Sequence, residues 1–166
     1  MKTFKRTLLA CSVVASISAV VALLATPSQA FDRRIHGSAC MAINGITNFI
    51  SRGNISTTNS LQAECPIPTD SDIRKFQLRT VNLHFTDNST SFGVWVQACV
   101  EFWDFNGGEC GSVAQSSAGG TGTSGLGAPL NGPNWLRSEG DFAYLLVLLP
   151  PAQQGTSLIK GYFMAS

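Results

Sequence analysis

Helical periodicity is missing from this chain. No useful length of sequence repeats its apolar residues every 3.6 positions, which leaves no basis for a helical architecture. Charge is scarce: Asp, Glu, Lys and Arg together make up 13% of 166 residues. The near balance of bases and acids argues against a nucleic-acid or polyanion surface, which would need a clustered basic patch. Histidine occurs only twice, at His36 and His84, and no close cysteine pair accompanies either. That spacing argues against a zinc site. Beyond residue 30 no apolar run is long enough to span a bilayer, and no internal repeat is visible.

What is present begins with a leader. The chain opens MKTFKR, continues LLACSVVASISAVVALLA and reaches TPSQA before FDRR. A basic start, an apolar stretch and a small-x-small ending (Ser28, Gln29, Ala30) form a secretory signal peptide with cleavage expected after Ala30. The competing reading is an uncleaved anchor. Leu8 to Ala25 is at the lower edge of spanning length, is diluted by serine and cysteine, and is followed by Pro27. Cys11 lies too early in the apolar run to be a lipid acceptor. Loss of the leader removes Lys2, Lys5 and Arg6, so eight bases then face ten acids, a net charge of −2. The remaining 136 residues suffice for one domain with a real core. The expected division is therefore 1–30 signal peptide and 31–166 secreted β-sandwich domain.

Four cysteines stay in the mature chain: Cys40, Cys65, Cys99 and Cys110. An even count in an exported protein reads as two disulfides, with three connectivities open. Sequential pairing, Cys40 with Cys65 and Cys99 with Cys110, needs the least long-range closure and is the expected one.

Apolar residues alternate in short runs broken by Gly, Asn, Ser and Pro, which is a strand pattern. Strands are expected over 37–43, 47–51, 59–65, 76–86, 92–102, 111–116, 142–149 and 157–164. Eight such strands without a helix indicate one all-β domain, an antiparallel sandwich of jelly-roll or immunoglobulin-like type. In 92–102 the even positions, Phe92 to Phe102, are all apolar and should face the core. The odd positions Trp95, Gln97, Cys99, Glu101 and Trp103 should look outward. YLLVLL, residues 144–149, is apolar on both sides and reads as a central strand covered by a loop or a partner. The glycine-rich stretch 116–134 and the proline-containing stretch 65–72 read as loops.

Trp95 and Trp103, with Gln97 and Glu101 between them, are the candidate binding residues. Outward aromatics beside polar groups suit a sugar ring, whose apolar face stacks on an indole while amides and carboxylates take its hydroxyls. The bland alternative is burial under the glycine-rich loop or against another chain. Trp135 reads as a loop anchor or a third platform. Other motifs fall short. G-T-G-T-S-G at 120–125 matches a dinucleotide fingerprint formally but is followed by Leu-Gly-Ala-Pro, which cannot open the required helix. Gly-Thr-Ser-Gly then Leu126 breaks the spacing of a nucleophile elbow. Asp104, Asn106 and Glu109 evoke a calcium loop that stops short of its third ligand, and Asn106-Gly107 suits a hairpin turn instead. A disulfide from Cys99 to Cys110 conflicts with a two-residue turn there and asks for a longer loop, bowed between 100 and 109. The sequons at Asn54 and Asn88 matter only in a glycosylating host.

The order of leader, HGSAC, CPIPTDSDIRK, VNLHFTDNST, ACVEFWDFNGGECG, AYLLVLLPP and GYFMAS resembles small secreted four-cysteine proteins of environmental proteobacteria. The resemblance covers most of the mature chain. It implies a bacterial, secreted β-sandwich and carries over no functional residue. Three functional expectations follow. The first is a non-catalytic extracellular binding or surface-interaction module for glycan or another extracellular protein. The second is a structural subunit of a matrix or appendage; the third is an exported hydrolase using His36 or His84. No catalytic residue, metal or cofactor is assigned, and neither nucleic acid nor membrane is expected as a partner once the signal is removed.

Overall fold

The computed structural model describes residues 31–45, 48–49, 55–57, 59–70, 73–119 and 121–166. The expected leader and the Asn54 sequon lie outside them. The described residues form twelve strands: β1 (Asp32–His36), β2 (Met41–Asn44), β3 (Asn48–Phe49), β4 (Ile55–Thr57), β5 (Leu61–Ile67), β6 (Thr80–Asp87), β7 (Trp95–Glu101), β8 (Gly108–Cys110), β9 (Ala114–Gln115), β10 (Gly122–Gly127), β11 (Phe142–Leu149) and β12 (Ser157–Ala165). The only helical turns among the described residues are 3-10 turns at Gly37–Ala39 and Lys75–Gln77.

The first sheet runs β10-β6-β12-β4-β3, with β1 also on β12; the second runs β2-β5-β11-β7-β8, with β9 also on β7. Every pairing is antiparallel. The chain changes sheet at almost every connection, so sequential neighbours seldom pair. Four strands in the order β4, β12, β6, β10 face four in the order β5, β11, β7, β8. That interleaving is a jelly roll, which settles the choice left open by the alternation alone.

Inner positions of both sheets merge into one core. Leu61, Ala63, Val94, Val96, Ala98, Val100, Leu145, Val147 and Leu149 from the second sheet pack with Val81, Leu83, Phe85, Ile159, Tyr162 and Met164 from the first. Tyr162 crosses the gap and donates its hydroxyl to the Pro66 carbonyl. Period-two apolarity thus does what it should: one side of each strand disappears from water.

Several expected elements move. The first strand is β1, not 37–43; the chain spends Gly37–Ala39 on a 3-10 turn capped by the His36 ring before β2 begins. The strand expected over 76–86 opens only at Thr80. Phe92 does not face the core and is 61% exposed, because β7 starts three residues later, at Trp95. Residues 116–134 are not all loop: β10 pairs with the edge of β6 from Gly122 to Gly127, with Leu126 opposite Leu83. Nor does Pro66 stop its strand. The β2 pairing ends at Glu64, so at Pro66 the edge of β5 away from β11 is open and a missing N–H is tolerated.

Both disulfides pair as expected. Cys40–Cys65 ties the entry of β2 to β5, and Cys99–Cys110 joins directly opposed residues of β7 and β8. The bowed loop is shorter than 100–109. Val100 and Glu101 still pair with Glu109 and Gly108, and the Phe102 N–H donates to the Gly107 carbonyl. Gly107, at φ 142°, adopts the backbone conformation that closes this turn.

Candidate functional site

The outward side of the second sheet carries the unusual residues. On β7 it presents Trp95, Gln97, Cys99 and Glu101, as the alternation requires. Trp95 is 43% exposed and Trp103 62%. Cys99 shares this side but is fully covered, since Cys110 bonds to it.

Strand β11 adds what the sequence reading did not assign. Its register sets Leu148 beside Trp95, Leu146 beside Gln97, Tyr144 beside Cys99 and Phe142 beside Glu101. Across its other edge Leu148 meets Gln62, Leu146 meets Glu64 and Tyr144 meets Pro66. Phe142 is 66% exposed, while Tyr144, Leu146 and Leu148 are half-buried. Met41, opposite Glu64, extends the same row. The result is a sheet face about 20 Å long from Trp95 to Glu101, at about 3.3 Å per residue. Aromatic rings stand at both ends, aliphatics in the middle and Gln62, Glu64, Gln97 and Glu101 among them. The signal for Phe142 and Tyr144 lay in the two-sided apolarity of β11, which was read as covered. Its outer side is instead partly open.

Polar groups on this face are held in place. Gln97 Nε2 donates to the Gly111 carbonyl at 3.0 Å. Burial, followed by the negative charges of Glu64 and Glu101, pushes the Tyr144 phenol above its ordinary range. It therefore stays a hydrogen-bond donor well into alkaline solution.

Trp103 leaves the strand and sits in the 102–107 loop, so the two tryptophans do not share one extended segment. Its indole lies over Gly140, where an added Cβ would meet Trp103 Cδ1 at 3.1 Å. A charge network fixes this loop. Arg137 grips Asp104 with Nη1 and Nη2 at 3.1 and 2.8 Å, and Asp141 with Nε and Nη2 at 3.2 and 2.5 Å. Its guanidinium stands 4.5 Å from the Phe102 ring centre and 5.2 Å from that of Phe105. Behind it, fully buried Lys75 Nζ lies 3.7 Å from Asp141 and donates to the Ser138 carbonyl. Glu139 accepts from the Lys75 and Phe76 amides at 3.0 and 3.2 Å. Burial alone would raise Asp141, but Arg137, the Trp103 amide and Lys75 hold it below the ordinary carboxylate range. Hydrogen bonds from Arg137 lower Asp104 likewise, and burial lowers Lys75.

The remaining candidates resolve differently. Asp104 belongs to Arg137 and Glu109 accepts from Asn134 Nδ2 at 2.9 Å, so the carboxylates of the calcium reading do not converge. Among the described residues no three His, Cys, Asp or Glu side chains come together as metal ligands. Trp135 is core, not a platform; its buried indole N–H has no hydrogen-bond partner. Both histidines lie on the opposite face of the molecule, on one groove of the first sheet. His36 Nδ1 accepts from the Ser38 amide at 3.3 Å and lies 3.0 Å from Ser38 Oγ, a local cap. Among the described residues no Ser, Cys, Asp or Glu lines that groove.

Comparison with known proteins leaves the site to speak for itself: no family model and no curated protein matches this chain.

Proposed function

We propose that this protein is a non-catalytic, exported binding module that takes an extended glycan on the outward face of its second sheet. The observation that carries the reading is the co-facial row of Trp95, Tyr144 and Phe142 with Gln62, Glu64, Gln97 and Glu101 interleaved. Aromatic faces cover the apolar side of a pyranose, and neighbouring amides and carboxylates take its hydroxyls. The site is built on strands, which hold ring spacing better than loops do. Two disulfides suit an oxidising compartment. Among the described residues no helix is long and apolar enough to cross a membrane. Export itself is read from the leader.

The test is intrinsic tryptophan fluorescence across plant, peptidoglycan and exopolysaccharide ligands. A bound glycan should shift emission of the native protein, and Trp95→Ala should weaken binding at least about tenfold, the effect of losing one stacking anchor of 1.4 kcal/mol or more. Silence across the whole panel removes the glycan reading.

A second reading has its own observation. Met41 is 64% exposed on the same face as the half-buried aliphatics Leu146 and Leu148, across Glu64 from Leu146, and these apolar groups also fit a second protein surface. This is the matrix-subunit reading. It requires concentration-dependent association in light scattering, lost in Met41→Lys; a strict monomer at high concentration excludes it.

A further inference from the structure

The first sheet offers an independent site on its outward side. There β12 is flanked by β1 on one edge and β6 on the other. Gly161 pairs with His36 of β1 and with His84 of β6. A residue without a side chain therefore separates two imidazoles whose backbones stand about 10 Å apart, twice the spacing between neighbouring strands. The next outward row is Arg34, Phe163 and Asn82. On the far side of His84 the partner is again a glycine, Gly125. These positions enclose a groove of about 710 Å³, lined by Arg34, His36, Asn82, His84, Lys160 and Phe163 among others. That volume falls in the range of small-molecule sites, about 300–1,000 Å³.

A β-bulge shapes it. Ile159 pairs with Phe85 and Gly161 with His84, so Lys160 is the extra residue. Bulges re-aim side chains and gather beside functional sites. Here the bulge needs its glycine: Gly161 has φ +152°, and a Cβ there would lie 2.3 Å from the Ile35 carbonyl oxygen. Lys160 Nζ donates to Thr123 Oγ1 at 2.8 Å, a neutral partner.

Charge decides the ligand. Elsewhere Arg33 pairs with Asp70, Lys75 with Asp141, and Arg137 with Asp104 and Asp141, while Arg74 and Arg79 make no ion pair among the described residues but stand apart from one another and from this groove. Among the described residues neither Arg34 nor Lys160 makes an ion pair. The nearest acid along β1, Asp32, pairs in register with Ala165 and is not part of the groove. In a mature chain of net charge −2, two unpaired bases and both histidines meet at one place without a carboxylate. Phe163 adds a half-buried aromatic wall and Asn82 an amide.

We propose that this groove binds an acidic saccharide, with Arg34 and Lys160 holding its carboxylate or sulfate and Phe163 flanking its ring. The site stands apart from the tryptophan face and does not depend on it. The experiment is titration calorimetry of the full mature protein with an oligogalacturonate, its methyl ester and a sulfated oligosaccharide. At low salt at least one acidic ligand should bind, weaken steadily as sodium chloride rises, and lose affinity tenfold or more in Arg34→Gln/Lys160→Gln. The ester should not bind here, and Trp95→Ala should leave acid binding unchanged. Both bases are on the surface, so an unshifted melting temperature will show that the double variant is folded; His84→Gln provides a second, milder lesion. The proposal is overturned if neither acidic ligand binds at low salt, if the ester binds Trp95→Ala as tightly as the acid does, or if the double variant binds like the native protein. Inorganic sulfate binding as tightly as the oligosaccharide would overturn the saccharide assignment.

Discussion

Single residues separate platform from core. Trp95, Trp103 and Trp135 have the same side chain and were all candidates, yet two are open and one is buried. Trp95 could be read from strand alternation; Trp103 is open for another reason, since it lies on the loop beyond the end of β7. Trp135 could not, because its burial depends on which surface its loop folds over. Asp87 is another residue whose role only packing reveals. Its carboxyl is buried; Oδ1 accepts from the Ser89 amide at 2.8 Å while Oδ2 has no hydrogen-bond partner. Burial raises its proton affinity above the ordinary carboxylate range. A raised carboxyl holds its proton more tightly folded than unfolded, so its contribution is full below the unfolded value and is lost as pH rises through the folded one. Asp104 and Asp141 act in the opposite sense: their stabilisation is present above the unfolded value and fades as pH falls through their lowered ones. Asp87→Asn should therefore flatten the decline in stability on the alkaline side of the Asp87 titration, measured as urea midpoints from pH 4 to 8. An unchanged profile would mean that this carboxyl is not held protonated.

At the scale of elements, the β7–β8 hairpin and the β12 bulge are the informative pieces. The stretch CVEFWDFNGGEC is a stapled hairpin whose tip is pinned by Arg137. An 11-residue separation gives about 3 kcal/mol in the chain-entropy account of cross-links. Cys99→Ser/Cys110→Ser should lower unfolding free energy by about that amount and red-shift Trp103 emission as the tip loosens. A midpoint within error of native would show that the network alone holds the loop. Gly161→Ala should cost at least about 2 kcal/mol, from a forced backbone conformation and a carbonyl clash; a neutral effect would deny the bulge its structural role. β5, β7 and β12 were legible because apolar side chains mark one face of each, and β11 because its short run is apolar on both. β1 and β10 were not. β1 points only Ile35 toward the core as a large apolar residue, and β10 is half glycine, held by the edge of β6 instead of by its own propensity. Two of these glycines, Gly125 and Gly127, stand opposite His84 and Asn82 of the basic groove.

The domain from Phe31 to Ser166 is a jelly roll with two unlike outer faces. Alternation and cysteine spacing were enough for a sandwich with sequential disulfides, but strand order was beyond them, since the inward pattern of β11 is the same whichever strands flank it. Strand order is what matters for function. It places β11 beside β7 and completes the aromatic face, and it places β1 and β6 around Gly161, bringing together histidines 48 positions apart.

The central claim is that the outward face of the second sheet is an open binding surface. Amide chemical-shift mapping of the native protein with a fluorescence-positive oligosaccharide tests it most directly. The account predicts perturbations concentrated on residues 62–66, 95–103 and 142–148. Shifts confined to other surfaces, or none at saturating ligand, would contradict it.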